Sequence, residues 1–490
     1  MTIVQEPWLK SADWDTAVYT GGGWQRVDAS REVTEPATGR ILTNVGLASA
    51  ATVATAAKAA RTAQAAWADA HYTVRAAVML RAAAAAQEHA AEFVQWLVRE
   101  AGAVQPRAEW EFGAVVAAIQ EAACMPSQSQ GTVLPGTSAR MSIARRVPLG
   151  VVGVIAPFNF PAILAMRAVA PALALGNAVV LKPDPRTPIS GGHAMAKIFE
   201  EAGLPEGLLH VLPGGGDVGE AMCSDPNIAM IQFTGSTAAG RKVGEVAGRH
   251  LKKVSLELGG KNSLIVLEDA DLDIAASNAA WGAYLHQGQI CMASGRILVH
   301  ESVADEFAKR LTAKAQQMPC GDPAGGAVAI GPLINDVQLQ HAKAIVDATV
   351  AAGATLLAGG THDGLVYRPT VLAGVTSTMP AFREEIFGPV AVLVTFRTDD
   401  EAIALANDTE YGLSAGIISR SVGRALAIGN RLRVGMLHIN DQTVADDGLN
   451  PFGGQGASGN GSSIGGPANY EEFTQWQWVT IQADATAYPM

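Results

Sequence analysis

Short apolar runs alternate with stretches of helical spacing through the middle of the chain. The runs GVVGVIAP (150–157), NAVVLKP (177–183), LLHVLPG (208–214), NIAMIQFTGS (227–236) and KKVSLELGG (252–260) predict strands. Between them PAILAMRAVAPALALG (161–176), SGGHAMAKIFEEAG (190–203) and TAAGRKVGEVAG (237–248) predict helices. Alternating strands and helices of this kind are the mark of a parallel α/β sheet. A second α/β set follows in NSLIVLEDADLD, a helix ending near Leu285, RILVH and the helix ADEFAKRLTAKAQQ. Upstream, Val53, Ala56, Ala60, Ala63 and Trp67 fall at helical spacing inside the alanine-rich residues 47–101. Alanine is the best helix former, so this region predicts packed amphipathic helices. SQGTVLPGTSARMSIARRVPLG (129–150) predicts two strands around a Pro-Gly turn, and EEFTQWQWVTIQ (471–482) alternates like a strand.

Residues 150–183 are apolar enough, and long enough, to raise the question of a membrane span. Pro157, Pro161 and Pro171 interrupt them, and Asn159 and Arg167 lie inside, which argues for a buried sheet-and-helix unit instead. At 490 residues the chain is too large for one simple core, and two or three domains are expected. A net charge of −11 with no basic tract speaks against nucleic acid as a partner. The opening residues have neither a basic nor an apolar signal segment, so a cytoplasmic location is the expectation. Cys124, Cys223, Cys291 and Cys320 are scattered and show no metal-ligand spacing, so neither a metal site nor a disulfide framework is expected.

Two phosphate-loop patterns stand out. Gly214, Gly216 and Gly219 fit G-x-G-x-x-G after a strand, but the acidic residue that should follow is missing, and glycines of a tight turn explain the match better than a phosphate site. GSTAAGRK (235–242) resembles a Walker loop, yet Val243 stands where a hydroxyl must hold magnesium, which excludes an ATPase. Gly235, Ser236 and Thr237 open a helix after a strand, either as an ordinary cap or as an anion site. Cys291 lies in a glycine-flanked loop, where a thiolate can attack a carbonyl, and Glu257 ends a strand beside two glycines. Taken singly, each also reads as a structural cysteine and a solvated charge.

Together PFNFP (157–161), LKP (181–183), FTGST (233–237), LELGGK (256–261), GQIC (288–291), EIFGPV (385–390) and PFGG (451–454) resemble the NAD(P)-dependent aldehyde dehydrogenase superfamily. All seven occur in that family's order, with Glu257 and Cys291 at its spacing. The resemblance implies two parallel-sheet α/β domains, a Rossmann-like cofactor domain and a catalytic domain, plus a small β oligomerisation element. It divides the chain into a cofactor-binding part (1–127 and 149–259), a catalytic part (260–458) and an oligomerisation part (128–148 and 470–484). It implies that Cys291 is the nucleophile, Glu257 the base that activates water, and Asn159 the amide that holds the oxyanion. Lys182, Gly235, Ser236, Glu385 and Phe387 match its NAD(P) contacts. A homodimer or homotetramer is implied, with no nucleic-acid or membrane partner.

Departures from the pattern sharpen the expectation. Pro185 stands where a Glu commonly binds the adenosine ribose, and Arg186 is nearby as a phosphate partner, so use of both NAD and NADP is expected. Ser462 and Ser463 replace an Arg-Glu pair whose Glu can relay protons. LAMRAVAP, LKPDPRTP and the HIND run at 438–441 look most like the benzaldehyde and vanillin branch. Phe160, Leu164, Arg167, Tyr284 and Phe452 are then expected to line an apolar tunnel for an aryl ring, although Arg167 equally suits a surface ion pair. The alternatives are an aliphatic or semialdehyde dehydrogenase, a CoA-acylating relative, which would not need Glu257, and an inactive structural relative, which would not need the Cys291, Glu257 and Asn159 set.

Overall fold

The computed structural model describes residues 7–137 and 140–490; residues 1–6 and 138–139, the latter within the segment expected to form a hairpin, lie outside the described residues. Its first sheet has seven strands in the order Lys253–Glu257, Met230–Thr234, Val151–Ile155, Ala178–Lys182, Leu209–Val211, Ala17–Thr20 and Gly23–Arg26. The first five are parallel and the last two antiparallel. Val151–Ile155 and Ala178–Lys182 are buried at every position, as central strands covered by helices on both faces must be.

The helix Pro161–Ala174 that joins those two strands is buried almost all round, and Pro161 occupies its first position, where no N–H is needed. The apolar stretch is therefore protein core. Among the described residues no helix is long and apolar enough to cross a membrane. The alanine-rich region forms the helices Ala50–Asp69, Tyr72–Glu88 and Ala90–Ala101. Ser49 caps the first of them in a reciprocal box with Thr52, and Trp67 fixes it to the core by donating to Leu173 O at 2.8 Å.

A second seven-stranded sheet runs in the order Thr355–Ala358, Thr370–Ala373, Val390–Phe396, Arg296–His300, Ser263–Val266, Ser414–Ile418 and Met436–Ile439, all parallel except the first. The predicted hairpin strands are Gly131–Leu134 and Met141–Pro148, and Thr474–Ile481 adds to them in an antiparallel three-stranded sheet. The last strand starts later than its alternation suggests, because Ala468–Phe473 forms a short helix first. Val133, Trp476, Trp478 and Ile481 stand exposed on this small sheet, which is the kind of apolar edge that proteins cover.

Candidate active site

Cys291 follows the helix Leu272–Tyr284 after a turn in which His286 and Gln287 both take left-handed backbone, with φ of 49° and 58°. Two side-chain hydrogen bonds secure the loop: Asn262 Nδ2 donates to Cys291 O at 2.8 Å and to Ala293 O at 2.9 Å. Asn262 Oδ1 in turn accepts from Ser414 N at 3.0 Å, so the cysteine loop is tied to the second sheet. The glycines after Glu257 are required by close approach. A Cβ on Gly260 would sit 2.4 Å from Cys291 O, and one on Gly259 would sit 2.4 Å from the Glu385 carboxylate. Asn262 was not legible as part of the site, although it follows those glycines by two positions.

Asn159 lies in the turn between the strand Val151–Ile155 and the helix Pro161–Ala174, and is 4% exposed. Its Nδ2 donates to Gln289 O at 2.8 Å. A primary amide has two N–H groups, so this bond orients the amide and leaves one donor free. Asn159 and Cys291 both line two separate cavities, one on each side of them.

The first cavity, about 980 Å³, opens beyond the carboxyl ends of the first sheet's strands, the usual ligand position in such sheets. Lys182, Arg186, Gly235, Ser236, Glu385 and Phe387 all border it, as do the glycines at 215, 216 and 219. Its donor set suits a dinucleotide. Ser236 caps the helix Thr237–Arg249, whose first-turn N–H groups favour an anion. Lys182 Nζ donates to Gly214 O at 3.0 Å, and Glu385 accepts from Gly260 N at 3.0 Å with carboxylate capacity left for hydroxyls. Burial pushes the Glu385 carboxyl up to about 7. The Phe158 and Phe387 rings, 5.9 Å apart and edge to face, add apolar surface to its wall.

Arg186 differs from the free phosphate partner that the sequence suggests. Its Nε and Nη2 donate to the two oxygens of Asp184 at 2.8 and 2.7 Å, and the guanidinium lies 4.1 Å over the Phe158 ring. Burial pushes the Asp184 carboxyl up, but the bonds from Arg186 outweigh it and hold it below the usual carboxylate range.

The second cavity, about 1020 Å³, has Phe160, Leu164, Tyr284 and Phe452 in its wall together with Trp110 and Met292. Tyr284 offers only its ring, since its hydroxyl donates to Thr370 O at 3.1 Å in the core. Arg167 does not line this cavity, and the expectation that it does is corrected. Its Nη2 donates to Asp446 Oδ2 at 2.7 Å and Oδ1 at 2.9 Å, behind the wall, and it is Asp446 that borders the cavity. The guanidinium lies 5.2 Å from the Phe452 ring, so it braces the wall from outside. Arg167→Ala leaves Asp446 with no counter-charge and is expected to cost about 3 kcal/mol in urea unfolding. Adding Asp446→Ala is expected to restore most of that loss; a single variant as stable as the parent would rule out the brace.

Glu257 ends its strand 2% exposed and lines neither cavity. Among the described residues neither carboxylate oxygen has a hydrogen-bond partner. Burial raises its pKa well above the ordinary carboxylate value; Arg167 pulls it down, and Glu472 and Asp446 push it further up. Burial likewise raises the Cys291 thiol, helped by the negative charges of Glu385, Glu257 and Asp446. The thiol is thus protonated at rest, and a nucleophile arises only when its proton is removed.

The aldehyde dehydrogenase family profile matches residues 24–479. The chain is 53% identical over 482 residues to vanillin dehydrogenase of an Amycolatopsis species, covering 98% of this chain and 99% of that one. It is 49% identical over 477 residues to the NAD(+) benzaldehyde dehydrogenase of Pseudomonas putida, covering 97% and 98%. The crystal structure of a salicylaldehyde dehydrogenase from Pseudomonas putida G7 complexed with salicylaldehyde superposes with a TM-score of 0.94 at 34% identity, covering 97% of this chain and all of that one. A family match over almost the whole length, on a fold shared with such a structure, means that the chain belongs to the aldehyde dehydrogenase family, NAD(P)-dependent oxidoreductases of aldehydes.

Proposed function

We propose that this enzyme oxidises an aromatic aldehyde to its carboxylic acid through a thioester on Cys291, and that it accepts both NAD and NADP. The observation that carries the reading is that Cys291 and Asn159 stand in the wall shared by the two cavities. One cavity has the donor set for a dinucleotide and the other is mainly apolar and large enough for an aryl ring.

In this reading the Cys291 thiol gives its proton to the Glu257 carboxylate, and the sulfur adds to the carbonyl carbon of the aldehyde. The oxyanion of the resulting thiohemiacetal accepts from the free N–H of Asn159 Nδ2 and from the backbone N–H of Cys291. Bound NAD(P), held by Lys182, Gly235, Ser236, Glu385 and Phe387, supplies the hydride acceptor. Glu257 passes the thiol proton on to solvent and, a carboxylate again, takes a proton from the water that opens the thioester. The acid leaves, and the Cys291 thiolate released recovers that proton. A carboxyl whose pKa lies above the ordinary value is the better matched base near neutral pH. Water rather than a thiol such as CoA resolves the thioester because Glu257 is there to activate it.

The aromatic substrate rests on the Phe160, Leu164, Tyr284 and Phe452 wall and on relatives named for vanillin, benzaldehyde and salicylaldehyde. The test is a panel of aromatic and aliphatic aldehydes with each cofactor, with and without CoA, followed by absorbance of the reduced cofactor. Benzaldehyde-type substrates should give the highest kcat/KM without CoA; a preference for short aliphatic aldehydes would sink this assignment.

Acceptance of NADP rests on Pro185, which brings no charge to the adenosine end, and on Arg186, which can turn from Asp184 to a phosphate. Arg186→Ala is expected to raise KM for NADP about tenfold, as loss of one charge-assisted bond does, with KM for NAD little changed. Equal effects on the two cofactors would remove Arg186 from that role. The same reading assigns 1–127 and 149–259 to cofactor binding, 260–458 to catalysis, and 128–148 with 470–484 to self-association as a homodimer or homotetramer in the cytoplasm.

A further inference from the structure

The helix Gln105–Cys124 carries a buried ion pair that no step above uses. Arg107 and Glu111 are 3% exposed and fully buried, with Nη1 and Oε2 2.7 Å apart. Their remaining bonds converge on the segment that holds Asn159. Glu111 Oε1 accepts from Ala162 N at 2.9 Å and Ile163 N at 3.1 Å, two first-turn donors of the helix Pro161–Ala174. Arg107 Nη2 donates to the carbonyl oxygen of Asn159, and its guanidinium covers the Phe160 ring at 4.0 Å. The His286 ring also packs against Phe160, 5.3 Å away and edge-on. From Asn159 to Ile163 the pair thus touches every residue except Pro161, which has no N–H to offer.

Stability alone does not account for such a pair. Desolvating two charges commonly offsets their attraction, and apolar replacements of similar size are often neutral or stabilising. Burial pushes the Arg107 guanidinium down and the Glu111 carboxyl up from their ordinary values, as that cost requires. What the pair does supply is geometry. The Asn159 backbone is held by Arg107 on one side while its side chain is held by Gln289 O on the other. Two fixed points leave the amide no freedom to swing.

We infer that Arg107 and Glu111 are positioning residues that set the Asn159 amide for the oxyanion, a role that rests on the function proposed for Asn159 itself. The pair speeds formation of the thioester and does not touch the cofactor. A donor displaced by about an ångström costs about a hundredfold in rate.

The test compares wild type with Arg107→Met/Glu111→Gln, which leaves no charge stranded and keeps an oxygen for Ala162 N and Ile163 N. Glu111→Gln alone serves as the milder second variant in case the double variant does not fold. With benzaldehyde and NAD, the pre-steady-state burst of reduced cofactor should slow about a hundredfold in the double variant and less in the single one. A primary isotope effect with 1-deuterobenzaldehyde should grow on kcat, while NAD affinity measured by titration stays at the wild-type value. A burst as fast as wild type overturns the inference, and so does a parallel loss of NAD affinity, which would mark a general structural role. Asn159→Ala separates the two levels. If it keeps the wild-type burst, the role of Asn159 fails; if it loses the burst while the pair variants keep theirs, only the positioning role fails.

Discussion

Cys291→Ala is expected to abolish aldehyde-dependent formation of reduced cofactor, by about 10⁵-fold or more, as removal of a covalent nucleophile does. Alanine differs from cysteine by one sulfur atom at a half-buried position, so melting temperature and NAD affinity should stay near wild type. The loss therefore isolates chemistry from folding. Because the thiol is raised by burial and by three carboxylates, it is protonated at rest. Thiol-alkylating reagents should accordingly act slowly on the free enzyme at neutral pH and faster as pH rises. An alanine variant that still turned over benzaldehyde would mean that hydride leaves a species not bound to Cys291.

Glu257→Gln is expected to lower kcat by about 10²–10⁴-fold, the range of general base catalysis. Glutamine cannot take a proton, so acylation and hydrolysis both slow, hydrolysis more, because water is a weaker acid than a thiol. One burst of reduced cofactor per active site should appear, followed by a stalled steady state. The pH profile carries a second signature. Only the carboxylate form can act as base, and burial raises its pKa above the usual range. In wild type, kcat should therefore climb with pH through a step that lies above the ordinary carboxylate value. That step should vanish in the glutamine variant. A wild-type profile flat from acid to neutral pH would contradict the assignment.

The parallel strands were readable because central strands such as Val151–Ile155 are apolar on both faces, a pattern independent of distant partners. The roles expected of Cys291, Glu257 and Asn159 came from resemblance; spacing alone left each with a bland alternative. What stayed hidden depended on long-range pairing. Arg167 stayed open between a pocket residue and an ion pair because its carboxylate partner, Asp446, lies 279 positions away and no local pattern announces it. Arg107 and Glu111 have the i,i+4 spacing of an exposed helical ion pair, and only tertiary burial turns that pair inward. Asn262, which ties down the Cys291 loop, sits among glycines whose tight packing against Cys291 O and Glu385 is equally invisible until the chain is folded.

The most direct test of the account is mass spectrometry of Glu257→Gln enzyme mixed with benzaldehyde and NAD and quenched in acid. A benzoyl adduct on the peptide containing Cys291, absent when NAD is omitted and absent from Cys291→Ala, is the predicted result. Benzoate formed at the burst rate with no adduct on Cys291 would contradict it.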